Sequence, residues 1–204
     1  MADSDEILTF WFGSEQQDLA VIQQQGSLWF ASDAALDQRI QSRFGEAVEL
    51  AARGELEDWT RTARGRLAVI ILLDQFTRNI YRGTARAFAS DELALRYCRE
   101  GIEAGHDRAL RRVERPFLYM PLMHSETLEA QDQALRVFEQ LAETADGELR
   151  KSFENNVKFA RMHRDLIVRY GRFPHRNSIL GRENTPAEAE YLAGDAETFG
   201  QSKK

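Results

Sequence analysis

Residues 147–170 read GELRKSFENNVKFARMHRDLIVRY, and one stripe through them passes Leu149, Phe153, Asn156, Ala160, His163, Ile167 and Tyr170 at alternating intervals of four and three. That spacing is the inner face of an α-helix, so Asn156 and His163 fall on the same side as the apolar residues. Asp146-Gly147 is a plausible start, and Gly171 a stop of the kind that ends helices in the left-handed conformation. The same three-and-four spacing recurs along the chain, prolines number four, and no stretch alternates apolar and polar for any length. These features predict an all-α protein.

Working outward, Ser32 or Asp33 is expected to cap a helix striped by Leu36, Ile40, Phe44, Ala47 and Ala51, with Gly54 as its stop. From about Leu56 to Tyr81 a further helix is predicted, apolar all round at Leu67-Ala68-Val69-Ile70-Ile71-Leu72-Leu73 and so central. Ser90 begins a helix that Gly105 ends. Pro116 and Pro121 bracket a short segment, which Pro121 is expected to kink or break. A charged amphipathic helix covers about Ser125 to Ala142, and Thr185-Pro186 with Glu188 forms a capping box for a last short helix. Residues from Gly200 onward are expected to be disordered. No low-complexity tract divides the chain, so 1–204 is read as a single domain. Its successive helix pairs are read as a superhelical array whose repeats, if any, are degenerate.

With 204 residues the chain is long enough to bury roughly 70% of its unfolded surface. Its longest apolar run is far below the ~20 residues that cross a bilayer, so no membrane span is expected. The acidic start, Met-Ala-Asp-Ser-Asp-Glu, is unlike a secretory signal, and the single Cys98 leaves no intrachain disulfide; together they predict a cytoplasmic protein. A net charge of −6 argues against nucleic acid as partner. Within that acidic chain, Arg161 to Arg182 is locally cationic, and arginine favours bidentate contacts to carboxylate or phosphate, although such runs are also common on solvated faces.

Three clusters carry chemistry. Asp74, Arg78, Asn79 and Arg82 lie on a stripe leading out of the apolar run, where they are either a ligand site or a buried ion pair tying helices together. His124-Ser125-Glu126 is either an acid/base pair or a helix cap with Ser125 at the N-cap. His163 and Arg164, followed by Arg172, His175, Arg176 and Asn177, are dense in forked donors and form the best anion-site candidate, the alternative being a buried histidine satisfied by a neighbouring acid. His163-Arg164-Asp165-Leu166 looks like a kinase catalytic loop, but Tyr170 stands where its asparagine belongs and no glycine-rich loop exists. No histidine pair has metal-ligand spacing, so no metal and no cofactor are expected.

The runs Leu72-Leu73-Asp74-Gln75-Phe76, Arg78-Asn79-Ile80-Tyr81-Arg82-Gly83-Thr84, Arg86-Ala87-Phe88-Ala89, Pro121-Leu122-Met123-His124-Ser125-Glu126, His163-Arg164-Asp165, Gly171-Arg172-Phe173-Pro174-His175-Arg176-Asn177 and Leu180-Gly181-Arg182 resemble the bacterial family called domain of unknown function 924. The resemblance implies a tetratricopeptide-like right-handed superhelix of antiparallel helix pairs, and it implies no activity. Thr77 stands where the family has proline. The leading expectation is a binding protein in which Asp74, Arg78, His124, Glu126, His163, Arg172, His175 and Arg176 converge on one polar cleft for an anionic small molecule or peptide. Two alternatives stay open. One is a hydrolase or transferase with His124 or His163 as base, oriented by Glu126 or Asp74, and the other a structural protein whose clusters only lock the helices. A homodimer through the outer face of the Ser125–Ala142 helix is possible on the same pattern.

Overall fold

The computed structural model describes residues 2–30, 33–194, 196–197 and 199. Among the described residues there is no strand. The chain begins with helices α1 (Ser4–Phe12), α2 (Asp18–Phe30) and α3 (Ala34–Ala52). Asp3 caps α1, accepting from the Glu6 amide at 2.8 Å, and Asp33 caps α3, accepting from the Ala35 amide at 2.9 Å. Of the two caps expected for α3, Ser32 lies outside the described residues. The predicted stripe of α3 is buried throughout.

The predicted helix 56–81 is instead four pieces. A 3-10 turn, Glu57–Arg61, is followed by Thr62, whose side chain caps α4 (Ala63–Ile70) by accepting from the Gly65 amide at 3.1 Å. A capping hydroxyl competes with a continuing helix, which is why the expected start moves to Ala63. Gly65 is required there, since a Cβ on it would lie 2.2 Å from the Trp59 carbonyl oxygen. The rod then widens into a π turn, Ile71–Phe76, and ends as α5 (Thr77–Ile80). The Thr77 hydroxyl and the Arg78 guanidinium donate to the Leu73 and Asp74 carbonyls at 2.7 and 2.8 Å. Every residue of the π turn is buried, Ile71 to Leu73 as the all-round apolarity predicts and Asp74, Gln75 and Phe76 beyond it.

Next come α6 (Asp91–Glu103), α7 (His106–Ala109) and α8 (Arg115–His124). Pro116 occupies the first turn of α8, and of the kink or break expected at Pro121 the break does not occur, the helix continuing through it to His124. Residues Pro116 to Met123 are all buried, and that burial outweighs the ~3 kcal/mol cost of an internal proline. Helix α9 (Leu128–Glu143) is capped by Thr127, not by Ser125, and α10 (Gly147–Tyr170) ends at Gly171 with φ 71°. The segment after α10 contains a 3-10 turn, Pro174–Arg176, and α11 (Asn177–Leu180), with His175, Arg176 and Asn177 buried. The capping box at Thr185 forms as predicted and starts α12 (Pro186–Ala193). The expectation for Gly200 onward lies outside the described residues.

Helix α8 packs on α9 and α9 on α10, the π turn packs on α3, α6 and α8, and α1 lies on α4. One core runs from Ile7 to Ala160 and includes edge-on contacts among Trp11, Trp29, Phe76 and Phe117. Leu166, Ile167 and Phe173 form a smaller cluster against Tyr170, Tyr191 and Phe199. Among the described residues no helix is long and apolar enough to cross a membrane.

Candidate functional site

The central rod presents Asp74 at 0% exposure, and a carboxylate so buried must be paired. His124, at the end of α8, places Nδ1 2.7 Å from Asp74 Oδ1, and Arg78 places Nη1 3.2 Å from the same oxygen. Gln75 donates to Asp74 Oδ2. Arg78 also reaches Asp91 at 2.9 Å, Arg176 approaches Asp91 at 3.1 Å, and Arg176 Nη2 donates to the His124 carbonyl at 3.0 Å. The centre therefore holds two guanidiniums against two carboxylates, with the His124 imidazole hydrogen-bonded to one of them. Burial opposes the Asp74 charge, but Arg78 and His124 outweigh it and hold the carboxyl far below the usual carboxylate range. Burial, joined by Arg78 and opposed by Asp74, holds the His124 imidazole below its ordinary value. An ionised Asp74 can only accept, so His124 carries its proton on Nδ1 and keeps a lone pair on Nε2.

His163 sits across from His124, their ring centroids 6.1 Å apart. Its Nδ1 donates to the Phe159 carbonyl at 2.8 Å, which again leaves Nε2 as an acceptor. Burial, with His124 next, pushes His163 down to about 3. Burial, with Arg176 next, pushes His175 down to about 3 as well.

His124 and His163 line a cleft of about 500 Å3 between α2, the central rod, α8, α9 and α10. Its walls are largely apolar: Trp29, Met120, Met123, Phe138, Phe159 and Phe199, with Phe30 and Phe159 left 70% and 40% exposed. Trp29 is fixed by donating from Nε1 to the Trp11 carbonyl at 2.8 Å. Polar atoms come from Gln75, Arg78, Asn79, Arg82, Asn155 and Asn156 besides the histidines. Arg82 and Asn79 are both tied to Asp37, at 2.8 and 2.9 Å.

Of the residues expected to converge on one polar cleft, Arg78, His124 and His163 line it, joined by Asn79 and Arg82 of the first cluster, and Asp74 and Arg176 stand behind His124. The convergence is corrected for the others, each of which has a commitment elsewhere. Glu126 takes Arg182 at 2.7 Å and the Phe173 amide at 2.8 Å, so it neither caps α9 nor orients His124. Arg172 pairs with Glu188 at 2.6 Å, Arg164 with Asp132 at 2.6 Å, and Asn177 donates to Asn184 at 2.8 Å. His175 packs between Phe173 and Phe199, their ring centroids 5.6 and 5.3 Å from its own. Sequence reasoning missed the acids that claim the arginines, Asp37, Asp91, Asp132 and Glu188, because each is remote in sequence from its partner. It also missed the aromatic walls, though Asn156 on the inward stripe of α10 was a signal. Among the described residues no three His, Cys, Asp or Glu side chains are grouped to hold a metal ion.

A search of curated proteins gives no match. Among solved structures the chain is similar to a protein of unknown function from Agrobacterium tumefaciens, 39% identical over 93% of this chain and 96% of that one, with a TM-score of 0.79. Residues 7–196 match the model of the family described as bacterial protein of unknown function, DUF924. The motifs that build the Asp74, His124 and His163 centre thus lie within the matched span, and the chain belongs to the DUF924 family.

Proposed function

We propose that this protein binds a small, uncharged, largely apolar organic molecule in the cleft beside His124 and His163. The supporting observation is the cleft itself, about 500 Å3, drug-sized, with aromatic and thioether walls and a few hydrogen-bonding groups at one side. The arginines nearby argue for a neutral rather than an anionic ligand. An anion would compete with Asp74 and Asp91 for Arg78 and with Asp37 for Arg82, which lie within 2.8 to 3.2 Å. The frame we propose is a degenerate, tetratricopeptide-like right-handed superhelix. The short turns joining α8 to α9 and α9 to α10, whose helices pack on each other, support it.

Thermal unfolding with matched neutral and carboxylate compounds on the same apolar body tests the reading. Neutral compounds should raise the midpoint, by the equivalent of about 2.7 kcal/mol at a hundredfold excess over Kd. Phe159→Ala, at the rim, should weaken that response. Preference for carboxylates would return the anionic reading, and no response to either would remove the cleft as a ligand site.

A further inference from the structure

We propose that the cleft is a hydrolytic site for uncharged carboxylic esters, in which the His124 imidazole activates water and Asp74 positions that imidazole. The proposal rests on the ligand reading above and adds a reaction to it. Four observations carry it.

First, the imidazole is held as a base. Its Nδ1 is 2.7 Å from a carboxylate that is wholly buried and ionised, while its own side chain keeps 15% exposure and lines the cleft. A histidine whose Nδ1 proton is fixed by a carboxylate presents a basic Nε2 in a set orientation, the arrangement that general-base catalysis uses. Second, the described lining residues include no serine, threonine or cysteine. Cys98 is buried in the core, where burial pushes its thiol up. A base without a side-chain nucleophile acts on water. Third, Asn155 and Asn156 bring amides to the same cleft, and amide N–H groups are the donors a developing oxyanion needs. Fourth, the surrounding cations are each matched by acids, and the walls suit an apolar acyl or alkyl chain. An ester, neutral and polar at one carbonyl, fits both.

The step balances without a further reactant. Water oxygen bonds to the ester carbonyl carbon as its proton passes to His124 Nε2, and the carbonyl electron pair moves onto oxygen. The oxyanion collapses, the bond to the alcohol oxygen breaks, and the imidazolium returns the proton to the departing alkoxide. Ester and water become carboxylic acid and alcohol.

The test uses 4-nitrophenyl octanoate as substrate and 4-nitrophenyl octyl ether as an uncleavable ligand, on wild type, His124→Gln and Asp74→Asn. Wild type should release nitrophenol, and His124→Gln should lose at least about a hundredfold in kcat with affinity for the ether retained. For wild type kcat/KM should rise with pH through a midpoint below the ordinary histidine pKa of about 6.5. The titratable and charged groups facing His124 are Asp74 from the π turn, Arg78 from α5, Asp91 from α6, the neutral His163 from α10 and Arg176 from the 3-10 turn. Removing the Asp74 charge leaves the cations less opposed, so in Asp74→Asn the pH midpoint should fall and kcat drop while KM holds. That pH displacement is what a purely structural role would not produce. Should Asp74→Asn fail to fold, His124→Gln still decides. If wild type and His124→Gln bind the ether but hydrolyse the ester equally or not at all, the reaction is overturned and the ligand reading stands. If neither binds the ether nor cleaves the ester, both are overturned.

Discussion

Asp74→Asn is nearly isosteric, yet it removes one of the two carboxylates that hold the central network together. Asp74 is fully buried, and Arg78 lies 3.2 Å away with only 11% side-chain exposure. At an effective dielectric of ~20 a pair at 3.2 Å attracts by about 5 kcal/mol. Part of that is recovered because the variant no longer buries a carboxylate. Against this, the hydrogen bond from His124 loses its charged acceptor, and Arg78 and Arg176 are left sharing Asp91 alone. Breaking a buried pair from one side costs about 3–5 kcal/mol, and that is the expected loss here. For a chain of this length each kcal/mol moves the midpoint by about 2–4 °C, so calorimetry should show a fall of about 6–20 °C. Urea unfolding should give the same loss at an unchanged m-value. A fall under about 3 °C would refute the reasoning, since it would mean that Asp74 is not an ionised partner in the folded chain.

Three further outcomes follow from the same geometry. His163 and His175 are pushed down to about 3 by burial, whereas the unfolded chain protonates them near its ordinary histidine value. Between those limits the unfolded state binds the extra protons, so stability is present above pH ~6.5 and is lost as pH falls, by up to about 1.4 kcal/mol per pH unit for each histidine. Urea midpoints from pH 7 to 5 should show this slope, and His163→Gln should flatten it; an unchanged slope would contradict the burial argument. Glu126→Gln weakens the bonds to Arg182 and the Phe173 amide, so hydrogen exchange and proteolysis should speed up over 172–182 well before global unfolding changes. Gly65→Ala forces a Cβ to 2.2 Å from the Trp59 carbonyl, and should cost at least about 1–3 kcal/mol in urea unfolding despite alanine's higher helix propensity.

Periodicity located α3, α6, α9 and α10 within a few residues, because one face of each is buried and the other is wet, and the capping box located α12. It failed over 56–81, where the all-round apolar rod carries no phase. The rod is interrupted at its start by the Thr62 cap on the Gly65 amide, and the π turn that begins at Ile71 packs on α3, α6 and α8. Thr77, where the family has proline, follows directly on the π turn, and the helix does continue through it. For the site, the three polar clusters were legible as clusters. Which arginine meets which acid was not: Arg82 meets Asp37, Arg78 and Arg176 meet Asp91, and Arg172 meets Glu188.

What the sequence determined by itself was the helical class, most of the inner faces, the capping box at Thr185 and His124, His163 and Arg78 as candidates, which the fold brings to one cleft. These are properties of local spacing and residue type, readable within a turn or two of helix. The tertiary structure alone decided that Asp74 and not Glu126 holds His124, that each nearby arginine is already matched by an acid, and that the cleft is walled by aromatics from helices far apart in the chain. Burial and charge pairing are made between elements distant in sequence, and their energies depend on which groups the packing excludes from water.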